Sequence, residues 1–447
     1  MRYAYQILVP GGNDTALVFG REDDPARRKA INDEIMQACP QVEQVGFLDL
    51  AASRLCMAGG EFCGNAARAA AWYICGGRPG EVRLTVSGVQ APLRAGVTTN
   101  GHAFAQMPVE PDLRQVRVLA PGFLLATLEG IAHVVVAPAQ AAPFLLQDRE
   151  ALKRAAHKIL RQYGLLAKPA AGVVFLESKQ GMLHMHPCVR VAAIDTMFYE
   201  TACGSGAMAV ALAKCATEGF RDTALELHQP SGQVIAAHVQ CGEDFCAADA
   251  CILGPVQTDG VRFWGDFRLL RVQGAAQLQA YWATESENVF AGYQASFGPG
   301  SRYDDATVTP LWLKQRLQQY LAQGVLLFCV DAQGRVAGLA ASVPLASQED
   351  VAALMAQFGF GAADDWYHAD ICVYPGYRGQ GIATALLQML TWHTPARRIL
   401  MRTRSDNIES QRLHTRFGFR EVPGLRQRFG ADDERIFLSY EKLSGPK

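Results

Sequence analysis

Two copies of one short motif, each entering an alanine-rich run, constrain the fold of this chain most strongly. The first copy is Glu61-Phe-Cys-Gly-Asn-Ala-Ala67, followed by small residues over 68–73. The second is Thr201-Ala-Cys-Gly-Ser-Gly-Ala207, followed by a similar run over 208–213, and its cysteine lies 140 residues after the first. A Gly and a small polar residue before an alanine-rich run are typical of a helix start. The repeat predicts two similar halves, each presenting one thiol at a helix N-terminus.

A cysteine at a helix N-terminus is suited to acid–base catalysis on a carboxylate-bearing substrate. The positive end of the helix dipole favours the thiolate, and the free N–H groups of the first turn bind carboxylates. Two such helix ends facing each other would hold the carboxylate of an amino acid, with one sulfur on each side of its α-carbon. Cys63 and Cys203 would then remove and return the α-proton as base and acid. The pattern indicates a two-base racemase or epimerase that relies on desolvation and oriented dipoles instead of a cofactor.

Two other interpretations of the pair stay open. Free cysteine is among the most buried residue types, so Cys63 and Cys203 could be packing residues. If their sulfurs are close, oxidation could join them in a disulfide and inactivate the enzyme. The second copy of the motif, also at a helix start, favours catalysis.

Composition excludes several classes of function. The length of 447 residues suits roughly three domain-sized units, or one large domain plus one ordinary one. With 49% hydrophobic and 19% charged residues, a mostly disordered chain is excluded. The net charge of −1 gives no general attraction to nucleic acid or to a membrane surface. No apolar run reaches the length of about 18 residues that spans a bilayer, and the N-terminus lacks the features of a signal peptide. We expect a cytoplasmic protein in which most of the 12 cysteines are free thiols.

A change of pattern near residue 262 predicts a domain boundary. Residues 1–262 contain short strand-like runs and both glycine-rich helix starts, which we divide into halves of about 1–115 and 116–262. Residues 266–447 alternate helix and strand around a single glycine-rich loop. The turn residues of 254–260 are those expected near a boundary.

The first part resembles the diaminopimelate epimerases. The shared motifs are Gly12-Asn-Asp14, Glu61-Phe-Cys-Gly-Asn65 with Arg68, and Ala202-Cys-Gly-Ser-Gly-Ala207. The resemblance covers about residues 1–260 and implies an α/β fold (α+β) of two pseudo-symmetric halves, each with strands wrapped around a central helix. It also implies a cofactor-independent thiol pair. Proline racemases share the fold but carry a histidine where this chain has Asn65, and the related phenazine-pathway isomerases lack the cysteines.

Within that group, the chain is more similar to the histidine racemases of opine-metallophore pathways. The shared segments are Glu43-Gln-Val-Gly-Phe47, Gly60-Glu-Phe-Cys-Gly-Asn-Ala66, Val86-Ser-Gly88, Gln106-Met-Pro108 and His228-Gln-Pro-Ser-Gly232. The Glu-Arg pair of diaminopimelate epimerases is replaced by residues 194–199, which contain no arginine, and no Asn-Pro precedes His133. Without these polar anchors a second amino-carboxylate group would bind poorly. The resemblance therefore implies racemisation of an amino acid, with histidine expected.

The same resemblance implies a set of substrate-binding residues. They are Asn13, Glu43, Gly64, Asn65, His133, Gly204 and Ser205. The Glu43 carboxylate could accept an N–H from an imidazole, or it could be an exposed acid near a strand start. His133 could tune a thiolate or be a packed core residue.

Two further features receive structural interpretations. Arg68 would lie in the first helix, where we expect a structural ion pair. His184, His186 and Cys188 alternate on one strand at a spacing compatible with metal ligands. Because Pro187 interrupts them and no fourth ligand is near, we expect no metal.

The second part contains a phosphate-binding pattern. A strand-like run over 366–374 is followed by Pro375-Gly-Tyr-Arg-Gly-Gln-Gly-Ile-Ala383 and a helical run. A glycine-rich turn that opens a helix offers N–H groups to a pyrophosphate, and Arg378 adds positive charge. No Gly-Lys-Ser/Thr follows, which excludes a Walker loop. The spacing Arg-x-x-Gly-x-Ala after a strand resembles the acetyl-CoA motif of the GNAT N-acetyltransferases.

This second resemblance covers residues 266–447 and implies acetyl-CoA as cofactor. The residues implied to bind it are Ile371, Val373, Arg378, Gly379, Gln380, Gly381, Ile382, Ala383 and Asn407. Asn407 could instead cap a helix. His414 stands where many members have a tyrosine that protonates the leaving thiolate; the histidine or a water could donate that proton, or His414 could be a packing residue. Recognition of the amine is expected within Tyr281–Tyr303.

The two signatures together predict a bifunctional enzyme. Free enantiomers have equal free energy in water, so a racemase alone cannot accumulate one of them. Acetylation of the racemised product would drain the equilibrium. Two alternatives remain, namely a diaminopimelate epimerase fused to an acetyltransferase, and a non-catalytic amino-acid-binding module that feeds the acetyltransferase. The sequence does not decide the acetyl acceptor or whether the chain forms a homodimer.

Overall fold

A computed structural model describes residues 3–109, 116–219, 222–241, 247–361, 364–429 and 432–442. The described chain forms two compact units, of which the first comprises Tyr5–Asp259 and the second comprises the residues from Gly260 onwards together with the N-terminal residues up to Ala4. The predicted boundary between the halves, near residue 115, falls outside the described residues. Among the helices of the described ranges, none combines the length and apolar character needed to cross a membrane.

The first unit is a mixed α/β structure. Its strands are β1 (Ala4–Pro10), β2 (Thr15–Phe19), β3 (Gln44–Asp49), β4 (Arg54–Met57), β5 (Gly80–Val86), β6 (Leu93–Val97), β7 (Ala103–Gln106), β8 (Arg117–Ala120), β9 (Phe123–Leu128), β10 (Ile131–Val136), β11 (Ala170–Lys179), β12 (Met182–Val191), β13 (Thr196–Tyr199), β14 (Asp222–His228), β15 (Val234–Cys241), β16 (Ala247–Gly254) and β17 (Val256–Gln257). Its helices are α1 (Pro25–Ala38), α2 (Gly64–Ile74), α3 (Pro138–Leu145), α4 (Arg149–Gln162) and α5 (Gly204–Glu218).

Helices α2 and α5 are each enclosed by strands. Helix α2 packs against β5, β6, β7 and β2, and α5 packs against β9, β10, β14, β15 and β16. The residues of α2 from Gly64 to Ala71 and those of α5 from Gly204 to Ala213 are buried. Because strands surround these helices closely, most of the buried positions hold alanine, glycine or another small residue. This enclosure explains the alanine-rich runs of the sequence. The expected fold of two halves, each with strands around a central helix, is confirmed.

The strand pairing connects the two halves. In the first half, β2 and β3 are parallel, and β5, β6 and β7 form an antiparallel meander. In the second half, β10 and β11 are parallel, β11 and β12 are antiparallel, and β14, β15 and β16 form an antiparallel meander. Antiparallel pairing of β7 with β16 joins the halves, with Gln106 opposite Cys251.

The second unit is a mixed sheet with helices. Its strands are β18 (Arg262–Trp264), β19 (Phe267–Arg271), β20 (Val325–Val330), β21 (Val336–Pro344), β22 (Trp366–Val373), β23 (Arg398–Arg404), β24 (Arg420–Arg428) and β25 (Glu434–Glu441). Its helices are α6 (Ala275–Phe297), α7 (Pro310–Gln323), α8 (Glu349–Ala356), α9 (Ile382–His393) and α10 (Ile408–Phe417).

Strands β22 and β23 of the second unit pair over only part of their length. They are parallel and in register from Trp366 opposite Ile399 to His368 opposite Met401. A bulge in β22 follows at once, because Asp370 pairs with Ala341 of β21 while His368 pairs with the next residue, Ser342. A bulge bends its strand and re-aims the neighbouring side chains. Pairing ends there, and a cleft opens beside the last residues of β22.

Candidate functional sites

Cys63 and Cys203 occupy the same position on their helices. Cys63 precedes the first turn of α2 with φ −134° and ψ 114°, and Cys203 precedes α5 with φ −135° and ψ 107°. Each sulfur accepts a backbone N–H, from Ala66 at 3.4 Å and from Gly206 at 3.3 Å. Both line one cavity of about 30 Å³. The structure thus brings together the two thiols that the repeated motif singled out.

Four of the predicted substrate-binding residues line the same cavity. They are Gly64, Asn65, Gly204 and Ser205, the first two residues of each helix. The side chain of Asn65 also ties the two motifs together, because its Nδ2 donates to the carbonyl oxygen of Ala202 at 2.8 Å. The cavity is therefore bounded by two helix N-termini, which favour an anion.

The side chain of Gln44, which the sequence analysis missed, contacts Cys63. The Cys63 thiol donates to Oε1 of Gln44 at 2.8 Å. The Gln44 amide nitrogen donates to Thr15 Oγ1 at 2.8 Å and to Oδ1 of Asn13, which fixes its orientation. Gln44 therefore presents an acceptor to this sulfur.

Cys203 has a different neighbour. Its sulfur lies 3.5 Å from Oγ of Ser205, and that oxygen lies 2.9 Å from Nε2 of His133. Burial lowers the pKa of His133 to about 3, so its ring is neutral at physiological pH. A Cβ at Gly172 would lie 2.5 Å from Nδ1 of this ring, so only glycine leaves room for it there. His133 lies behind the cavity wall and reaches Cys203 through Ser205.

Asn13 and Glu43 lie outside the residues that line the cavity. The carboxylate of Glu43 accepts the backbone N–H of Thr201 at 3.1 Å, the hydroxyl of Thr201, and an N–H of Asn13. Burial raises the pKa of Glu43 to about 7. Its contacts join the first half to the segment that leads into Cys203. Contact between Glu43 and an imidazole stays a prediction.

Two carboxyl groups that the sequence analysis did not assign line the cavity, Glu61 and Glu200. Burial raises the pKa of Glu61 to about 7 and that of Glu200 to about 8. Burial and then the charge of Glu200 raise the pKa of Cys63 to about 12, and the same two causes raise the pKa of Cys203. Glu61 stands inside the first motif and Glu200 three residues before Cys203, which is the signal that could have found them.

Arg68 corrects one expectation. It is fully buried in α2, and its Nη2 donates to Oδ1 of Asn65 at 2.8 Å. Its Nε and Nη1 have no hydrogen-bond partner, and within the described residues no carboxylate is among the groups that shift its pKa. Burial lowers its pKa to about 10, so it stays charged. The expected ion pair is wrong, and Arg68 places an uncompensated positive charge near the cavity.

His184 and His186, which alternate on β12, contact other side chains of the same unit. The ring of His184 stacks on His228 at 4.7 Å, and His186 contacts Glu177 at 3.1 Å and Tyr199 at 2.8 Å. Within the described ranges, no group of three or more potential ligands could hold a metal.

The second unit contains a cleft of about 550 Å³ where β22 and β23 separate. Of the residues predicted to bind acetyl-CoA, those lining the cleft are Ile371, Val373, Arg378, Ala383 and Asn407. The glycine-rich turn bends as predicted, since Gly379 and Gly381 have φ of 74° and 79° and Gly381 precedes the first turn of α9. The peptide oxygen of Gln380 accepts from the Trp264 indole at 2.8 Å, and Ile382 is buried in the core. A cleft ending at a helix N-terminus fits an elongated cofactor with a pyrophosphate.

His414, on α10, and Asn407, which directly precedes that helix, both line this cleft. Asn407 caps the helix, with its side chain accepting from the N–H of Ser410 at 3.2 Å. Nδ1 of His414 lies 2.8 Å from the carbonyl oxygen of Ser410 and must donate to it, which leaves Nε2 with a lone pair. Burial lowers the pKa of His414 to about 4, which opposes the protonated form that an acid requires. Its catalytic role stays a prediction.

Asp370 is a further polar group of the cleft that the sequence did not indicate. It follows the bulge of β22, and its Oδ2 accepts hydrogen bonds from Tyr293 at 2.9 Å and Tyr320 at 2.6 Å. The Tyr320 oxygen in turn accepts from Nε of Arg316 at 2.7 Å. Asp370 is a fixed anionic group in the cleft and is suited to binding an amine.

Two known families match separate parts of the chain. The family described as "Histidine racemase CntK N-terminal domain" matches residues 4–257, and the "Acetyltransferase (GNAT) family" matches residues 281–419. A histidine racemase from Fusobacterium nucleatum is 28% identical over 222 residues, 46% of this chain and 80% of that protein. One from Staphylococcus aureus is 22% identical over 245 residues, 52% of this chain and 87% of that protein. The solved structure of a hydroxyproline epimerase from Agrobacterium vitis covers 59% of this chain and 93% of its own, with 13% identity and a TM-score of 0.41.

Proposed function

Because the chain belongs to the family of the histidine racemase CntK N-terminal domain and also carries a GNAT acetyltransferase domain, we propose that it racemises histidine and N-acetylates the product. We assign racemisation to residues 1–262 and acetyl transfer to residues 266–447. One observation carries the first assignment: Cys63 and Cys203 each precede a central helix, and both line one cavity.

The proposed racemisation transfers protons between the two sulfurs through the substrate. One cysteine, as thiolate, takes the α-proton, and the other, as thiol, gives its proton to the opposite face of the same carbon. Afterwards the first cysteine is the thiol and the second the thiolate, so no proton is gained or lost. The reverse reaction needs the opposite starting state, and solvent exchange resets the pair.

The negative charge that develops on the substrate needs stabilisation in a dry site. The substrate carboxylate would bind the N–H groups at the starts of α2 and α5, where preorganised dipoles stabilise the enediolate character of the transition state. The buried charge of Arg68 acts in the same direction. Glu200, which lines the cavity, would bind the α-ammonium group. These groups replace the electron sink that a cofactor would supply.

For the second activity, acetyl-CoA supplies the activated acetyl group when bound. The residues that would hold it are those at the end of β22 and the start of α9, with Arg378 beside the phosphates. Asp370 would hold the amine of the acceptor, while Tyr293 and Tyr320 keep its carboxylate in place. Because acetylation of one enantiomer is driven by cleavage of a thioester, it would draw the racemisation forward.

Exchange of the α-proton in D₂O, followed by NMR, tests the first activity. The reduced full-length protein is given single L-amino acids and meso-diaminopimelate without acetyl-CoA. We expect rapid deuterium uptake into histidine. Uptake into diaminopimelate alone would restore the epimerase alternative, and no uptake into any compound would favour the binding-module alternative.

Addition of acetyl-CoA then tests the coupling. We expect N-acetylhistidine to accumulate, enriched in one enantiomer, when only L-histidine is supplied. Chiral chromatography with mass detection measures the product. If neither enantiomer of the racemase substrate is acetylated, the two activities are not consecutive steps.

A further inference from the structure

A second cavity of the first unit adjoins the cavity of the two thiols. It measures about 340 Å³, and it shares Glu61 and Ile131 with the thiol cavity. Gly88, Leu128 and Gly130 contribute to its other walls, which are mainly apolar or glycine. A substrate held between the sulfurs could therefore extend its side chain past Glu61 and Ile131 into a recess with room for a flat ring.

Glu61 is the polar group shared by the two cavities. The residue is only 7% exposed, and its Oε2 atom is buried with no hydrogen-bond partner. The backbone amides of Gly59 and Glu61 and the charge of Arg28 act on its carboxyl group, but burial outweighs them. A buried acceptor without a partner costs free energy comparable to that of a lost hydrogen bond. The carboxylate is thus prepared to accept an N–H from a molecule that enters.

The backbone at Glu61 is held in place by the segment Val86-Ser-Gly88. The Ser87 hydroxyl donates to the carbonyl oxygen of Glu61 at 2.7 Å. Gly88 has φ +76°, and a Cβ there would lie 2.6 Å from the backbone nitrogen of Phe62. A Cβ at Gly130 would lie 2.9 Å from Cβ of Phe62. Two glycines and one serine hydroxyl therefore fix where the Glu61 carboxylate stands.

We propose that Glu61 is the specificity-determining residue of the racemase site, accepting an N–H from the substrate's imidazole with Oε2. This inference rests on the proposed racemisation of histidine. The contrast with Glu43 supports it, because both oxygens of Glu43 already accept hydrogen bonds from Thr201 or Asn13. Glu43 connects the two halves through its hydrogen bonds, whereas Oε2 of Glu61 can still accept a hydrogen bond from the substrate.

The test compares histidine with 4-thiazolylalanine, whose ring has the same size but no N–H. The α-proton exchange of each compound in D₂O is measured for the full-length protein and for Glu61→Met, which keeps the side-chain length and removes the acceptor. Glu61→Gln restores a neutral acceptor. Glu43→Gln is the matched control, because it alters a half-buried carboxyl group of the same half that does not line the recess. Thermal unfolding checks that each variant is folded.

The wild type is expected to prefer histidine by at least about tenfold in kcat/KM, since a site built for a hydrogen bond rejects an analogue that lacks it. Glu61→Met should bring that ratio close to one by slowing histidine alone, and Glu61→Gln should recover part of it. Glu43→Gln should slow both compounds alike and keep the ratio. If Glu61→Met does not fold, Glu61→Ala, which also lacks the acceptor, replaces it, and a wild-type ratio in that variant overturns the proposal.

An unchanged ratio in folded Glu61→Met also overturns the role of Glu61 while leaving racemisation intact. If the wild type exchanges neither compound, the proposed function itself has failed, and this inference fails with it.

Discussion

The two thiols of the first unit have the same backbone setting and different side-chain partners. Their φ and ψ angles agree within a few degrees, and each sulfur accepts one N–H from its helix. The thiol of Cys63, however, donates to the Gln44 carbonyl, which can only accept. Cys203 lies beside the hydroxyl of Ser205, which can donate to the sulfur when Nε2–H of His133 donates to Ser205. The repeat thus makes two similar thiols with different partners. Gln44 favours the protonated form of Cys63, whereas Ser205 lowers the pKa of Cys203 against the larger opposing effects of burial and Glu200.

Removal of either sulfur should have the largest effect. We expect Cys63→Ala and Cys203→Ala each to lower racemisation by at least about a thousandfold, because residues that act as a unit cannot replace one another. Any remaining α-proton exchange should be confined to one enantiomer, and to opposite enantiomers in the two variants. Acetyl transfer should persist, since it is assigned to the second unit.

Circular dichroism of the mixture and NMR of each enantiomer in D₂O measure these outcomes. If either alanine variant still racemises at the wild-type rate, the two-thiol mechanism is wrong. Residual exchange of the same enantiomer in both variants would contradict the placement of one sulfur on each face of the substrate.

Glu200 is expected to act on both thiols but unequally. Its charge raises the pKa of Cys63 and of Cys203, and it also forms a hydrogen bond with Cys203 that raises the pKa further. Because its own pKa is about 8, it is ionised in the range where the thiols lose their protons. Glu200→Gln removes that negative charge, so both thiol pKa values should fall, by about one unit, with the larger fall at Cys203.

The measurement is the pH dependence of alkylation by iodoacetamide, followed for each cysteine by mass spectrometry. The buried Cys329 of the second unit is the internal reference, because burial and Asp331 raise its pKa and Glu200 does not act on it, so its profile should not shift. A rise of either catalytic thiol pKa would contradict the role of Glu200.

What the sequence could predict was mostly local. A Cys-Gly motif before an alanine-rich run determines a helix start, and the enclosing strands then require the small residues of α2 and α5. The glycine turn before α9 is local in the same sense. The placement of the two cysteines in one cavity followed from the repeat because each half positions its own helix in the same way.

The groups that the sequence analysis missed depend on contacts between distant segments. Gln44 is 19 residues from Cys63, and only the folded strand β3 brings its carbonyl to the sulfur. Glu43 and Glu61 are both acids in the first half, and nothing local tells which one keeps a free oxygen. That depends on Thr201, which is 158 residues from Glu43. The position of Asp370 likewise depends on a bulge in β22 and on hydrogen bonds from two tyrosines of other elements.

The smallest expected effects test the difference between the thiols directly. Gln44→Leu removes the acceptor that stabilises the Cys63 thiol, so the pKa of Cys63 should fall. Ser205→Ala removes a hydrogen bond that lowers the pKa of Cys203, so that pKa should rise. Each variant should slow racemisation by about tenfold or less, because both sulfurs remain.

The same alkylation profiles measure the two shifts, and each variant serves as the control for the other thiol. Shifts in opposite directions, each confined to the cysteine next to the substitution, would establish that the halves differ through Gln44 and Ser205. If both variants shifted both thiols in the same direction, the difference would lie in the shared cavity and in Glu200, and the partners of the individual sulfurs would not distinguish acid from base.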